Sequence, residues 1–257
     1  MTRLIRNELF KTFRLKKLYA FMAVLVANAW ITVHFYGADG EVKSIVTMPN
    51  GQSLPLTLIY GMAQFMTVFI SVYVADTVAG EFKNGTIKST LLHPVRRVEW
   101  LHAKIASLFV FIAFLVAFSV AAEYAVGTIS FGWGRQTLYA GTLYPPGEGI
   151  ALTLLLKFSM VLPYLACGIV VVFIGVFAAN ASATIGLSIG LLTAAQYLNA
   201  FEPIKPYSLA NQMYFFHESV SRASWDEAVR NTAVMAVYIA VFYGASALIL
   251  KKKDIVL

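Results

Sequence analysis

Charge is scarce in this chain. Asp, Glu, Lys and Arg make up 13% of the 257 residues, against 59% hydrophobic. Soluble domains carry about 25% charged and about 45–50% apolar residues. A soluble globule of this size has no interior large enough for so much apolar surface, so lipid is the solvent for much of it. Cysteine is scarcer still. Cys167 stands alone inside an apolar run, which excludes an intrachain disulfide. The sequence also lacks repeats, low-complexity tracts and long polar linkers, and a single transmembrane domain over 1–257 is its simplest reading. A cleavable signal peptide is not expected, because the first apolar run is too long and no small-residue cleavage site comes after it.

Chemical motifs are missing as well. There is no G-x-x-x-x-G-K-[ST] phosphate loop to cradle ATP. His34, His93, His102 and His217 are scattered, with no metal-ligand spacing. No serine sits in a G-x-S-x-G elbow. The residues therefore assign no catalytic group, no metal ligand and no bound cofactor, and this chain is read as no enzyme. Any energy source lies in a gradient or in a partner.

What the sequence does have is six apolar runs of about the length that crosses a bilayer. They are Leu18–Tyr36, Leu54–Val78, Ile105–Val126, Ile150–Ala178, Ala183–Ala200 and Ala228–Leu250. The fold class is all-α, a polytopic bundle. The fourth run carries Pro163, Gly168 and Gly175, which predicts a kink or break. The fifth is rich in Gly and Ser, which suits close helix packing in lipid.

Basic residues cluster in three places: Arg3 to Lys17, Lys83 to Lys104, and the tail Lys251 to Lys253. By the positive-inside rule both termini and the second–third loop face the cytoplasm, in the cell (plasma) membrane. That placement accounts for the net charge of +7 without nucleic acid. The opposite loops carry acids and the aromatics of a headgroup belt, among them Trp133, Tyr139, Tyr207 and Trp225. Ser224 and Glu227 read as a capping box opening the sixth span. Residues 1–17 place Ile5, Leu9 and Phe13 on one face among cations, the pattern of a helix lying in the membrane interface. A plain basic arm that only sets topology is the alternative.

The loop 79–104 is long for a simple connection. It exposes Phe82, Ile87, Leu91 and Leu92 to the cytosol unless something covers them, and Pro94 ends any helix there. Apolar side chains among Lys and Arg on a short helix suit docking into a partner's groove. A helix lying on the headgroups explains the same pattern.

The stretch G-E-F-K-N-G-T-I-K-S-T-L-L-H-P-V-R-R, with a lysine and a long apolar helix after it, resembles the corresponding loop of type-2 ABC permeases. These are the membrane subunits of ATP-binding-cassette exporters. Glu81, Gly85, Thr86, Pro94 and Arg97 match that family's pattern. The basic first helix, the six-span layout, Pro203 and Pro206 before the last span, and the basic tail fit it less specifically. The resemblance implies that Glu81, Phe82, Gly85, Thr86, Ile87, Leu91, Leu92, Pro94 and Arg97 form a coupling helix against an ATPase. It implies two ABC ATPase subunits holding ATP and Mg, and a second permease subunit, identical or homologous. The expected cargo is an amphipathic peptide, drug or lipid-like compound. A gradient-driven transporter, or a membrane anchor or sensor subunit, are the alternatives.

Three charged residues lie within spans, where charge is expensive. Asp76, near the inner end of span two, is expected at the interface, facing a loop cation. Glu123 and Lys157 lie at similar depth on neighbouring helices. They read as a structural ion pair, with snorkelling of Lys157 or a role in substrate passage as alternatives.

Overall fold

The computed structural model describes residues 2–38, 50–87, 96–221 and 225–252. Helix α1 covers Thr2–Arg14 and α2 Lys16–Ala38. A short α3 (Leu54–Thr57) leads into α4 (Ile59–Val74), which continues through a π-helical turn (Ala75–Ala79) into α5 (Gly80–Lys83). Helix α6 covers Arg97–Phe131, α7 Pro146–Ser159, α8 Val161–Ala178 and α9 Ala181–Gln196. The last two helices are α10 (Leu209–Ser221) and α11 (Trp225–Lys252). Six of these stretches are long and apolar enough to cross a membrane, and the chain is a multi-pass membrane protein.

The spans fall where the apolar runs are, and outgrow them. Span three starts at Arg97 and ends at Phe131, extending the 105–126 reading at both ends. Apolar runs mark only the lipid-solvated part of a helix, whereas the helix continues as long as its backbone is paired. Span two likewise reaches Lys83. Span four is broken as expected: α7 stops at Ser159 and α8 begins at Val161. Pro163 has no N–H to give the carbonyl of Ser159, so the ladder fails there. The Ser224 half of the expected capping box lies outside the described residues.

Helix α8 is the centre of the bundle. It packs against α4, α6, α9, α10 and α11. Gly168 lets α6 approach closely, since a Cβ there would meet Leu108 Cδ2 at 2.7 Å. At the other side of the bundle α1 and α2 lie against α6, with Phe21 stacked on Phe69 at 4.3 Å between ring centroids.

Two elements fall where the sequence reads as plain loop. A β-hairpin pairs β1 (Thr137–Tyr139) with β2 (Thr142–Tyr144). Ala140 and Gly141 turn it with positive φ at both positions, as a tight two-residue hairpin requires. Helix α10 buries Leu209, Met213, Phe216 and His217. The hairpin and α10 lie toward the face opposite the one where α6 starts and α11 ends.

Candidate functional site

The termini face holds a buried polar network built on three helices. Lys104, on α6, is 2% exposed. Its Nζ lies 2.6 Å from Glu8 Oε2 of α1 and 2.7 Å from Glu81 Oε1 of α5. Lys11 Nζ lies 2.8 Å from the other oxygen of Glu8 and 3.2 Å from Glu81 Oε1. The indole N–H of Trp100 donates to Glu81 Oε2 at 3.0 Å. Two carboxylates and two ammoniums thus neutralise one another, which is the condition under which buried charge is tolerated.

The network continues toward the membrane centre through hydroxyls. Thr12 Oγ1 and the Tyr73 hydroxyl stand 2.8 Å apart, and Tyr73 donates to Ser107 Oγ at 3.1 Å. Ser107 in turn donates to the backbone carbonyl of Lys104. Tyr73 stacks on Phe111 with centroids 4.1 Å apart, which fixes its ring. Burial works against the charge on Lys11, but the hydrogen bond and field of Glu8, then those of Glu81, outweigh it. They hold the ammonium above its ordinary range.

This geometry corrects several expectations. Glu81 turns inward, onto Lys104 and Trp100, rather than toward a partner. Phe82 is half-buried and packs edge-on against Trp100 at 5.8 Å. Ile87 is 3% exposed and belongs to the core. Neither is stranded in solvent, because α5 continues span two and folds these residues back onto α6. Lys104, read from the sequence as a loop cation, sits inside span three. Helix is thus present through Lys83 and again from Arg97, both inside the 79–104 bounds read from the sequence. The helix is interrupted early in this stretch: Gly85 adopts φ +67, and its N–H bonds the Phe82 carbonyl. That left-handed glycine ends α5 as a helix C-cap. Thr86, the next residue, is exposed. Leu91, Leu92 and Pro94 lie outside the described residues.

Arg97 points along the bundle, not away from it. Its Nη1 donates to the carbonyls of Leu250 and Lys251 at 2.7 and 3.2 Å, closing the end of α11. Asp76 is half-buried. Its partner is Lys17 at 2.7 Å, from the start of α2 rather than from the loop. The π turn that carries Asp76 inserts one extra residue into span two, a distortion that recurs at functional positions.

Toward the other end of the bundle, Lys157 Nζ donates to both oxygens of Glu123 at 2.7 and 3.0 Å. The ammonium side chain is 0% exposed. The two charges therefore form an ion pair, and the lone snorkelling lysine is ruled out. Tyr164 and His217 are also fully buried, and the Tyr164 hydroxyl has no hydrogen-bond partner. Burial, and secondarily the positive charge of Lys157, pushes the His217 imidazole down to about 4.

Sequence reasoning singled out Glu81, as a contact for a partner, and Glu123 and Lys157, as an ion pair. It gave no site role to Glu8, Tyr73, Trp100, Lys104 or His217. Glu8 did carry a signal, being the only acid among the first 17 residues.

A family comparison matches residues 20–256 to DUF2705, described as a protein of unknown function. The chain belongs to the DUF2705 family. A comparison with curated proteins finds no match.

Proposed function

We propose that this DUF2705 protein is the membrane subunit of an ATP-driven exporter, worked by a separate ATPase that binds the loop between spans two and three. The observation that carries this reading is the anchoring of α5, the helix that leads from span two into that loop. Glu81 is clamped by Lys104 of span three, Lys11 of α1 and the Trp100 indole. A push on the turn at Gly85 is thus passed to spans two and three and to α1 together, as coupling to a moving partner requires. Lys83 and Asn84 are exposed beside that turn and are available for contact. The loop sequence and its likeness to type-2 ABC permeases point the same way.

In this reading both termini are cytoplasmic, the membrane is the plasma membrane, and two permease subunits enclose the path. Two ATPase subunits hold ATP and Mg. The cargo is an amphipathic peptide, drug or lipid-like compound. The test is co-purification in mild detergent. A soluble ATPase should accompany the wild-type protein and be lost in the Lys83→Glu, Leu91→Asp double variant while the melting curve stays in place. An ATPase retained by that variant, or none bound to the wild type, rejects the assignment.

A gradient-driven transporter is the second reading, favoured by the sealed Glu123–Lys157 pair beneath the buried His217. Transport that persists without ATP and stops with an ionophore would select it.

A further inference from the structure

Helix α1 carries different chemistry on its two faces. Glu8, the only acid among the first 17 residues, is 4% exposed and is held inside by Lys104 and Lys11. Thr12, one turn on, is buried beside it. With that carboxylate drawn inward, the outer face keeps cations and aromatics but no acid. Arg6, Phe10, Phe13 and Arg14 are all exposed and fall within about 100° of arc at 3.6 residues per turn. Lys16 is exposed where α2 begins.

Lys11 and Lys17 are answered by carboxylates of the protein, Lys11 by Glu8 and Glu81 and Lys17 by Asp76. Arg6, Arg14 and Lys16 have no such partner among the described residues, and Arg14 rests over the Phe10 ring at 4.2 Å. The aromatics set the depth of this face. Phe13 packs edge-on against Phe114 at 5.3 Å, and Phe114 stands ten residues, about 15 Å, past Lys104 along α6. Phe114 lies within the apolar part of span three, so the Phe13 edge of α1 meets hydrocarbon. Tyr19, exposed at the start of span one, donates its hydroxyl to the Phe13 carbonyl at 3.2 Å, as a residue at headgroup depth does.

We propose that the outer face of α1 binds anionic phospholipid, with the phosphates held by Arg6, Arg14 and Lys16 and the acyl chains lying along Phe10 and Phe13. The guanidinium fork matches phosphate oxygens, and lysine adds a point charge. Cations without carboxylate partners favour a headgroup of net negative charge over a zwitterion, by about fivefold in affinity per cation. An acidic protein surface would answer the cations but not the Phe13 edge that meets hydrocarbon. Apolar contact together with electrostatic attraction is what holds a helix in the interface of an anionic membrane. Arg6 and Glu8 point to opposite sides of the same helix, so lipid that holds the outer face keeps Glu8 on Lys104. Bound lipid thus stabilises the buried network. The site stands whether or not the chain is an exporter subunit.

The experiment uses the full chain, stripped of lipid in detergent, with dioleoyl phosphatidylglycerol, the matching phosphatidylcholine and soluble poly-glutamate. Binding is read by native mass spectrometry and by thermal shift. The glycerol lipid should bind about tenfold tighter than the choline lipid or more, and should raise the melting temperature. About 0.5 M salt should remove most of that preference. The Arg6→Gln, Arg14→Gln double variant should weaken phosphatidylglycerol binding by about 25-fold and abolish the thermal shift. Its lipid-free melt should stay in place, since both side chains are exposed. Lys251→Gln with Lys252→Gln, at the end of α11, removes two exposed cations elsewhere and should change binding little. Should the arginine double variant fail to fold, Lys16→Gln, with an expected loss of about fivefold, and the salt titration of the wild type carry the comparison. Equal binding of the two lipids, unaltered binding in the α1 variants, or an equal loss in the tail variant overturns the proposal. Poly-glutamate binding as tightly as phosphatidylglycerol assigns the face to an acidic protein and overturns the lipid assignment.

Discussion

Lys157 Nζ and Glu123 face each other within the membrane at 2.7 and 3.0 Å, the amine entirely shut off from solvent. The pair joins α7 to α6 at a level where neither group could find water. Removing one partner strands the other. Lys157→Met should therefore lower stability by about 3–5 kcal/mol. The double variant Lys157→Met, Glu123→Leu should recover most of that loss. Thermal melts of the singles and the double in detergent measure the coupling, and purely additive effects would show that the two charges do not depend on each other.

Lys104 is the corresponding keystone at the termini face. Lys104→Met leaves two carboxylates, Glu8 and Glu81, facing each other with Lys11 as their only ammonium in the cluster. A destabilisation of about 3–5 kcal/mol is expected. The more specific readout is limited proteolysis. Helix α1 should be cut within residues 2–14 far faster in the variant than in the wild type, because its inward anchor is gone. Equal cutting rates would show that α1 is held by its apolar contacts alone.

His217 gives the fold a dependence on acid. Its imidazole is pushed down to about 4 from an ordinary 6.5 by burial and then by the nearby Lys157 charge. Above pH 6.5 both the folded and unfolded chains keep it neutral, and it contributes no slope. As pH falls from there toward about 4, the unfolded chain takes up a proton that the folded chain refuses. Stability should fall across that window and level off below it, by about 3 kcal/mol in total. His217→Gln should flatten this part of the pH–melting profile, and an unaltered profile would assign the acid sensitivity elsewhere.

Close approach of α6 and α8 depends on Gly168. Gly168→Ala drives a methyl to 2.7 Å from Leu108 Cδ2 and should cost about 1–3 kcal/mol. Leu108→Ala in the same chain opens the space, so the double variant should lose less than the sum of the two singles. Melting temperatures of the three proteins test this directly.

The six spans were legible because lipid imposes a length and a composition that no other solvent does. The break in span four was legible through Pro163, a purely local effect. The Glu123–Lys157 pair was legible because unpaired charge at that depth is so unfavourable that a partner must exist. Helix α10 was not legible, since its sequence mixes Asn, Gln, His and Glu with apolar residues and lacks the continuous run that marks a span. The termini-face network was hidden for a related reason. Glu8 and Thr12 are the inward residues of α1, at 4% and 1% exposure, while the apolar Phe10 and Phe13 are more exposed. An amphipathic helix read by hydrophobicity alone is then turned the wrong way. What reversed it was charge pairing across about a hundred residues of sequence, which periodicity does not encode. The same pairing turned Glu81 inward and left Lys83 and Asn84 as the exposed residues before the turn.

The attachment of α1 has a practical consequence. Its thirteen residues are a fitted wedge rather than a leader that can be trimmed at will. Cutting them away removes one of the two counter-ions of Lys104 and uncovers the hydroxyl chain from Tyr73 to Ser107 at the same stroke. Shortened versions of this protein should therefore retain α1, and an added tag should be placed ahead of Thr2 with the helix left whole.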